Sequence, residues 1–369
     1  MGYVAIKGGD KAIEGSKEAC DFLRVRGGEQ AQPLSTDSIE HQLRLLHGRV
    51  LSEGGVYHPR LASLAIKQAQ GDTLEAAFIL RAYRSTVPRL METETLDTRN
   101  MRVTRRISSA FKDIPGGQML GATTDYQLRL LRMELLNESP QRFRDITQAW
   151  FEHMDIANVP DSFPKVLDLL RAEGLIQQAN QTVVENAEAE TSPFDITREP
   201  LLLPLPRSAA LSILTRAEQG SLLAIAYSNM RGYGDVHPTV AELRVGYIPV
   251  MLPHPITGKP MEVGEVEVTE CEVVAMYEQS EQSGKPLFTL GYGACFGHNE
   301  VKAISMAILD RSLQLGRKRG PQNPSEDAEF VLMHVDGIES MGFCTHYKMP
   351  HYVTFQSDMD RLRSTQRKS

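Results

Sequence analysis

Glu265-Val266-Glu267-Val268-Thr269-Glu270-Cys271-Glu272-Val273-Val274 is the segment on which the fold class turns. Glu265, Glu267, Glu270 and Glu272 interleave with Val266, Val268 and Cys271, and successive side chains of an extended strand point to opposite faces. The stretch therefore reads as a β-strand with an acidic, half-exposed face. Two readings of that face stand: a solvated surface, or a row containing a catalytic carboxylate, of which Glu270 is the member to test first. Upstream of it, Glu242 to Met251 reads as a second strand. Further upstream, the apolar run Leu222 to Asn229 leads into Arg231-Gly232-Tyr233-Gly234. Downstream, Gly291-Tyr292-Gly293 leads through Gly297-His298-Asn299 into a helix from Glu300 to about Leu315.

The first ninety residues read differently. Beyond a short β-like opening at Tyr3 to Ile6, Ser35 to Ser52 places Ile39, Leu43, Leu46 and Val50 at close to helical period. Pro59 suits the first turn of a second helix that Gly71 ends. Asp72 with Glu75 resembles a capping box opening a third helix that runs to about Pro88. Residues from about Thr123 to Gly174 return to helical periodicity, interrupted near Ser139-Pro140 and Val159-Pro160, and Asn180 to Pro206 reads as a linker or wrapping loop. The expected class is α+β, with a helical N-terminal part and a mixed β-sheet with helices in the C-terminal half. The expected divisions are a helix-rich domain over 1–136, a helical and linker region over 137–206, and an α+β domain over 207–369.

Composition narrows the function. The chain has 369 residues, of which 41% are hydrophobic and 24% charged. That is an ordinary globular balance, and the length suffices for two or three cores. No apolar run approaches the roughly 20 residues that span a bilayer, and the N-terminus lacks a secretory pattern, so a cytoplasmic protein is expected. A net charge of −7 argues against a dedicated nucleic-acid binder. Cys20, Cys271, Cys295 and Cys344 lie far apart, which supports no disulfide framework and no iron–sulfur cluster held by this chain alone. P-loop and dinucleotide-binding patterns fail on spacing, and the named hydrolase and kinase motifs are absent.

Two stretches remain. Arg105-Arg106-Ile107 through Lys112-Asp113-Ile114-Pro115-Gly116-Gly117 puts cations beside a Pro-Gly-Gly turn, either a tight turn or an anion cradle. Near the C-terminus, Gly342-Phe343-Cys344-Thr345-His346-Tyr347-Lys348-Met349-Pro350-His351-Tyr352 is the last patterned segment. On regular structure, histidines five apart diverge; they converge only if the chain bends, and Pro350 favours a bend. They are either separately bonded histidines or two ligands of an incomplete zinc site.

Several of these motifs, in the same order, resemble one family. They are Tyr3 to Gly9, Arg105 to Ser108 with Lys112 to Gln118, Ala226-Tyr227-Ser228 with Arg231 to Gly234, Thr269 to Glu272, Gly291 to Gly293 with Asp310-Arg311, Glu329 to Leu332, and Gly342 to His351. The chain resembles the PhnI family of the bacterial carbon–phosphorus lyase complex, most weakly between about Asn137 and Asp195. The resemblance implies phosphonate catabolism, with ATP or GTP as substrate at the anomeric carbon of its ribose, with or without Mg2+. Alone, such proteins release the purine. With companions (PhnG, PhnH, PhnJ and the ATPase-like PhnK and PhnL) they install methylphosphonate there. A separate subunit carries the iron–sulfur cluster. The resemblance also implies Zn2+ held by His346 and His351 near the radical subunit, with further ligands from water, substrate or a partner. A non-catalytic scaffold that lends zinc ligands is the alternative.

Displacing a purine proceeds through an oxocarbenium-like state that needs a nearby carboxylate and a positioned nucleophile. Glu270 and Asp125 are the candidate carboxylates. Arg105, Arg106, Lys112, Gly116, Gly117 and Arg231 are candidates for holding the triphosphate.

Overall fold

The computed structural model describes residues 9–28, 31–153, 163–176, 193–233, 237–280 and 284–367. The β-like opening at Tyr3 to Ile6, the Val159-Pro160 interruption, Gly234 and residues 180–192 of the expected linker lie outside them. After α1 (Asp10–Leu23), which buries no side chain, four helices form a layer where local signals place them. Ser35 Oγ accepts from Ser38 N and caps α2 (Thr36–Gln42). At Leu43 the backbone leaves helical geometry, φ −112° and ψ 42°, and splits the expected single helix into α2 and α3 (Arg44–Gly54). Pro59 opens α4 (Pro59–Gln68). Gly71 closes its end, donating to Ile66 O at 3.0 Å from φ +91°, the left-handed conformation that commonly ends a helix. Asp72 Oδ1 accepts from Glu75 N at 3.0 Å and starts α5 (Thr73–Thr86), as an N-cap carboxylate does. Ile39, Val50, Leu51, Ala62, Ile66 and Leu80 fill the space between these helices.

The periodicity from Thr123 onward is only partly helical in the structure. Residues 120–132 are irregular, a 3-10 turn spans Met133–Asn137, and α6 (Pro140–Glu152) and α7 (Val166–Ala172) follow. Leu128, Leu130 and Leu131 stand exposed. A helix's stability comes mostly from the face it buries, and this segment has none to bury. The described part of the linker does wrap: Phe194, Ile196 and Leu205 pack on the main core.

α8 (Arg207–Arg216) and α9 (Gln219–Ser228) lead into the sheet. Its strands are β1 (Arg102–Ile107), β2 (Thr239–Pro253), β3 (Pro260–Gln279) and β4 (Pro286–Phe296), in that spatial order. Each pairing between them is antiparallel, and among the described residues a single parallel bridge joins Ile176 to Phe288. The architecture is α+β. β1 comes from the 1–136 segment read as helical, yet it forms the edge of a sheet otherwise built after residue 207, with Arg102 opposite Tyr247 and Arg106 opposite Arg244.

Both faces of this sheet are covered. On one, Leu243, Cys271, Val273 and Cys295 meet Met306, Ala307 and Leu309 of α10 (Glu300–Arg319), with α8 and α9 alongside. The approach of α10 explains the Gly-Tyr-Gly turn: a Cβ at Gly291 would lie 1.9 Å from Ala307 O, and one at Gly293 2.2 Å from Ala303 O. Lys302, on the inner side of α10, donates to Ser52 Oγ of α3 at 2.7 Å and ties the helical layer to the sheet. On the other face lie Arg106, Arg244, Glu242, Glu270 and Glu272, covered by Lys165, Phe163 and the start of α7. The half-exposed acidic face expected from the strand pattern is therefore corrected: Glu265 stays exposed and Glu267 half-buried, but Glu270 and Glu272 lie on the opposite face and are buried. Glu270 is only 2% exposed, and it gains cations from the neighbouring strand, Arg244, and from the layer outside the sheet, Lys165.

After α10 come α11 (Ala328–His334), α12 (Gly337–Tyr347) and α13 (Tyr352–Gln366). The histidine stretch is thus not the last patterned segment; a fifteen-residue helix follows it. No described helix is long and apolar enough to cross a membrane.

Candidate functional site

The polar groups suited to chemistry gather at the N-terminus of α10, where β1, β3, α3 and the loop carrying Asp125 meet. Asn299 caps the helix through Lys302 N, and Thr269 Oγ1 accepts from Asn299 N at 2.9 Å, so the turn before the helix is fixed. Gly297 adopts φ +73° with its missing Cβ 2.6 Å from Gly48 Cα, which lets α3 come against this turn. Only glycine takes that conformation and that contact without strain. His298 is held between two side chains. Its Nε2 lies 3.0 Å from Glu300 Oε1, and its Nδ1 lies 2.8 Å from Arg44 Nη1. A guanidinium only donates, so Nδ1 carries a lone pair and the proton sits on Nε2, donating to Glu300.

Arg105 joins the same cluster. Its Nη2 donates to Asp125 Oδ2 at 2.5 Å, its Nη1 donates to Leu120 O, and its Nε lies 2.5 Å from Glu300 Oε1. Burial pushes the Glu300 carboxyl up, but the His298 hydrogen bond and the Arg105 charge outweigh this and hold it below its ordinary value. The Thr123 hydroxyl, then Arg105, hold Asp125 down as well. Glu267 behaves oppositely: burial raises it, against a partial offset from His298, Arg44 and His47. One depressed and one raised carboxyl beside a tautomer-fixed imidazole is the arrangement that separates acid from base roles. Arg44 is exposed and, among the described residues, forms no ion pair with a carboxylate.

Of the residues singled out in the sequence, the structure brings Arg105 and Asp125 together here. It takes Arg106 elsewhere: its guanidinium donates to Glu242 Oε1 (2.5 Å), Pro115 O (2.6 Å), Gly117 O (3.0 Å) and Pro164 O (2.7 Å). The Pro-Gly-Gly turn thus presents carbonyls to a buried cation, the reverse of an anion cradle, and Gly116 and Gly117 serve that turn at φ +81° and +76°. Lys112 stays exposed. Arg231 stacks on Tyr227 and donates to its hydroxyl at 2.5 Å.

Glu270 is a hub with its lone pairs occupied. Oε1 accepts from Lys165 Nζ (2.7 Å), Thr98 Oγ1 (2.8 Å) and Tyr292 Oη (3.0 Å), and Oε2 from Arg244 Nε (3.1 Å) and Nη2. Burial alone would raise its pKa; Arg244 and Lys165 outweigh that and hold it well below its ordinary value. Neighbouring Glu272 goes the other way, raised by burial.

His346 and His351 converge. α12 ends at Lys348, Met349 and Pro350 turn the chain, and His351 begins α13, leaving the two Nε2 atoms 3.2 Å apart with the rings nearly perpendicular at 86°. His351 Nδ1 lies 2.6 Å from Met349 O and donates to it, which leaves Nε2 as an acceptor. Among the described residues no group of three or more His, Cys, Asp or Glu could hold a metal ion.

Arg44, His298 and Glu300 escaped the sequence reading, although Gly297-His298-Asn299 ahead of a helix was visible. The signal was the helix boundary; Arg44 has no local signature, because its partner lies on a distant element.

A family model described as "Bacterial phosphonate metabolism protein (PhnI)" matches residues 2–369. The chain belongs to the PhnI family. It is 67% identical over 369 residues to the putative C-P lyase subunit protein HtxH of Stutzerimonas stutzeri, covering 100% of this chain and 97% of that one. It is 45% identical over 368 residues to the alpha-D-ribose 1-methylphosphonate 5-triphosphate synthase subunit PhnI of Escherichia coli K12, covering 99% and 98%. The same-named Rhizobium meliloti protein is 41% identical over 367 residues, covering 99% and 95%. The PhnI resemblance read from the motifs is thus a full-length relationship.

Proposed function

We propose that this chain is a subunit of a carbon–phosphorus lyase assembly. With companion subunits it replaces the purine of ATP by methylphosphonate at the anomeric carbon of the ribose, yielding ribose 1-methylphosphonate 5-triphosphate. Alone it is an ATP or GTP nucleosidase that transfers the ribosyl group to water. The observation that carries this reading is the end-to-end match to two relatives named as subunits of that synthase.

The cluster at α10 supports a nucleotide site. Arg44 offers an exposed cation without a carboxylate partner among the described residues, and the first backbone amides of α10 favour negative charge. Asp125 and Glu300 stay ionised beside it and suit a cationic sugar. Glu267, kept protonated to higher pH, suits donation to the leaving base. Lys112 and Arg231 remain exposed cations for outer phosphates.

The His346–His351 pair fits a zinc ion that draws its remaining ligands from outside the chain. His351 is oriented by a backbone carbonyl, as a metal-binding imidazole usually is. A zinc ion held by these two imidazoles would supply Lewis acidity. His346 donates Nε2–H to His351, so metal binding requires His346 to shift that proton to Nδ1 or release it.

Membership of an assembly is supported by α6 and α13, neither of which buries a residue. They expose Phe143, Trp150 and Phe151, and Tyr352, Val353 and Phe355, apolar surface that partner subunits would cover. The same surface favours the scaffold reading, and activity separates the two. Purified chain incubated with ATP releases adenine, and with its companions couples release to methylphosphonate transfer, both read by chromatography. Intact ATP under both conditions overturns the catalytic reading and leaves the scaffold.

A further inference from the structure

We propose that His298 Nδ1 is the general base that takes the proton from the attacking water when this chain acts alone as a nucleosidase, with Arg44 as the arm that covers Nδ1 until the nucleotide draws it away. This assignment rests on the nucleosidase reading above and names the group that activates the water.

Four elements turn charged or titratable groups toward His298. From α10, Glu300 accepts its Nε2–H at 3.0 Å, the contact that fixes the tautomer and holds an imidazolium once one forms. From α3, Arg44 donates to Nδ1 at 2.8 Å, and His47 is committed to Pro59 O at 2.9 Å. From β3 comes Glu267, and from β1 comes Arg105, itself bound to Glu300 and Asp125. Of the two ring partners, the one on Nδ1 is the more open to solvent: Arg44 is exposed, Glu300 is half-buried, and His298 itself is 7% exposed. An arginine donating to a neutral imidazole, with no described carboxylate within ion-pair distance, is a cation lacking its best acceptor. A triphosphate is a better one, with bidentate oxygens. Movement of Arg44 onto phosphate uncovers the lone pair at the moment substrate is present.

The step balances. Water attacks C1′ as the C1′–N9 bond breaks, and the electron pair of that bond leaves with the purine. The water proton moves to Nδ1, giving an imidazolium whose Nε2–H remains on Glu300. The purine nitrogen is protonated by Glu267 or solvent, and His298 later returns its proton to water. Methylphosphonate is already an anion and attacks without losing a proton, so the transfer reaction does not need this base.

The test uses the full chain with ATP, comparing wild type with His298→Ala and His298→Gln, the latter retaining an acceptor for Arg44. Both variants are expected to release adenine at least about 100-fold more slowly, the low end for losing a general base. Azide, a nucleophile that carries no proton, is expected to restore release in both and to give ribosyl azide 5-triphosphate, while leaving the wild-type rate unchanged. A structural role would give a loss that azide does not relieve. Unchanged adenine release by a folded variant, or a loss without azide rescue, overturns the inference while the nucleosidase reading stands. A wild-type chain that releases no adenine overturns that reading first, and the inference with it. Should His298→Ala fail to fold by circular dichroism, His298→Gln decides the outcome.

Discussion

Two groups of charged residues, one over the outer face of the sheet and one at the start of α10, are drawn from the same strands and behave in opposite ways. Over the sheet, Arg106, Arg244, Glu242, Glu270 and Lys165 are enclosed, and each charge meets an opposite charge within hydrogen-bond distance. At α10, Arg44 and Asp125 reach solvent, and Arg44 settles for an imidazole. Charge in a strand thus says little about catalysis until its saturation is known. A carboxylate with its lone pairs filled holds the fold, whereas a cation with a second-rate partner is free to exchange it for substrate.

Glu270→Ala tests the saturated side of this contrast and carries the largest expected effect. Removing the hub leaves Arg244 buried without its carboxylate and Lys165 with Glu272 as its remaining carboxylate partner, which costs about 3–5 kcal/mol; urea unfolding reads it. Because the Glu270 pKa is held down, its contribution is present above the unfolded carboxylate value near pH 4.5 and is lost as pH falls below that. The acid limb of stability should therefore flatten in the variant. An unchanged acid limb, or a loss under about 1 kcal/mol, would place Glu270 among the dispensable charges.

Gly291→Ala comes next. Its Cβ would meet backbone rather than a flexible side chain, so α10 must shift, at about 1–3 kcal/mol. That shift moves His298 too, and base release should fall more than thermal stability alone accounts for. A variant as active and stable as wild type would show that the close approach of α10 is not needed.

Lys302 extends the contrast to a cation buried without a carboxylate hydrogen bond. Burial lowers its pKa from 10.5 to about 8. Between those two values the unfolded chain holds the proton that the folded chain has lost, so stability rises with pH across that window. Lys302→Met should abolish this rise, as followed by thermal melts at several pH values. Persistence of the rise would assign it elsewhere.

The smallest effect on stability is expected at the C-terminal histidines, both of which are exposed. His346→Ala with His351→Ala should change unfolding free energy by no more than about 0.5 kcal/mol, the usual limit for surface substitutions. Elemental analysis of the assembled complex should nevertheless show zinc falling. Unchanged zinc would remove the metal reading.

Much of the fold was legible because its signals are local. The capping box at Asp72, Pro59 at a helix start and the strand alternation all act within a few residues, and the elements they mark formed near their expected places. Leu43 illustrates the limit: its periodic position favoured one helix, but backbone geometry breaks there. β1 was missed as a strand because Arg105 and Arg106 look solvated in sequence and become core only through partners on β2, α10 and the loop before α7. The site followed the same rule. Arg105 and Asp125 are twenty residues apart and were both noticed. Arg44 and His298 are 254 residues apart, and nothing local announces their contact. The convergence of the histidine pair was legible because the bend and both imidazoles lie within one short segment.

The edge position of β1 also bears on synthesis. Its partner β2 leaves the ribosome long after it, with Arg102 waiting for Tyr247. At translation rates of about 5–20 residues per second, the delay is on the order of ten seconds. Through that interval, two arginines destined for a closed interior are in water without the carboxylates that later neutralise them. Their hydration keeps the nascent segment from sticking to neighbours, so the charges that end up locking the sheet first act as its escort.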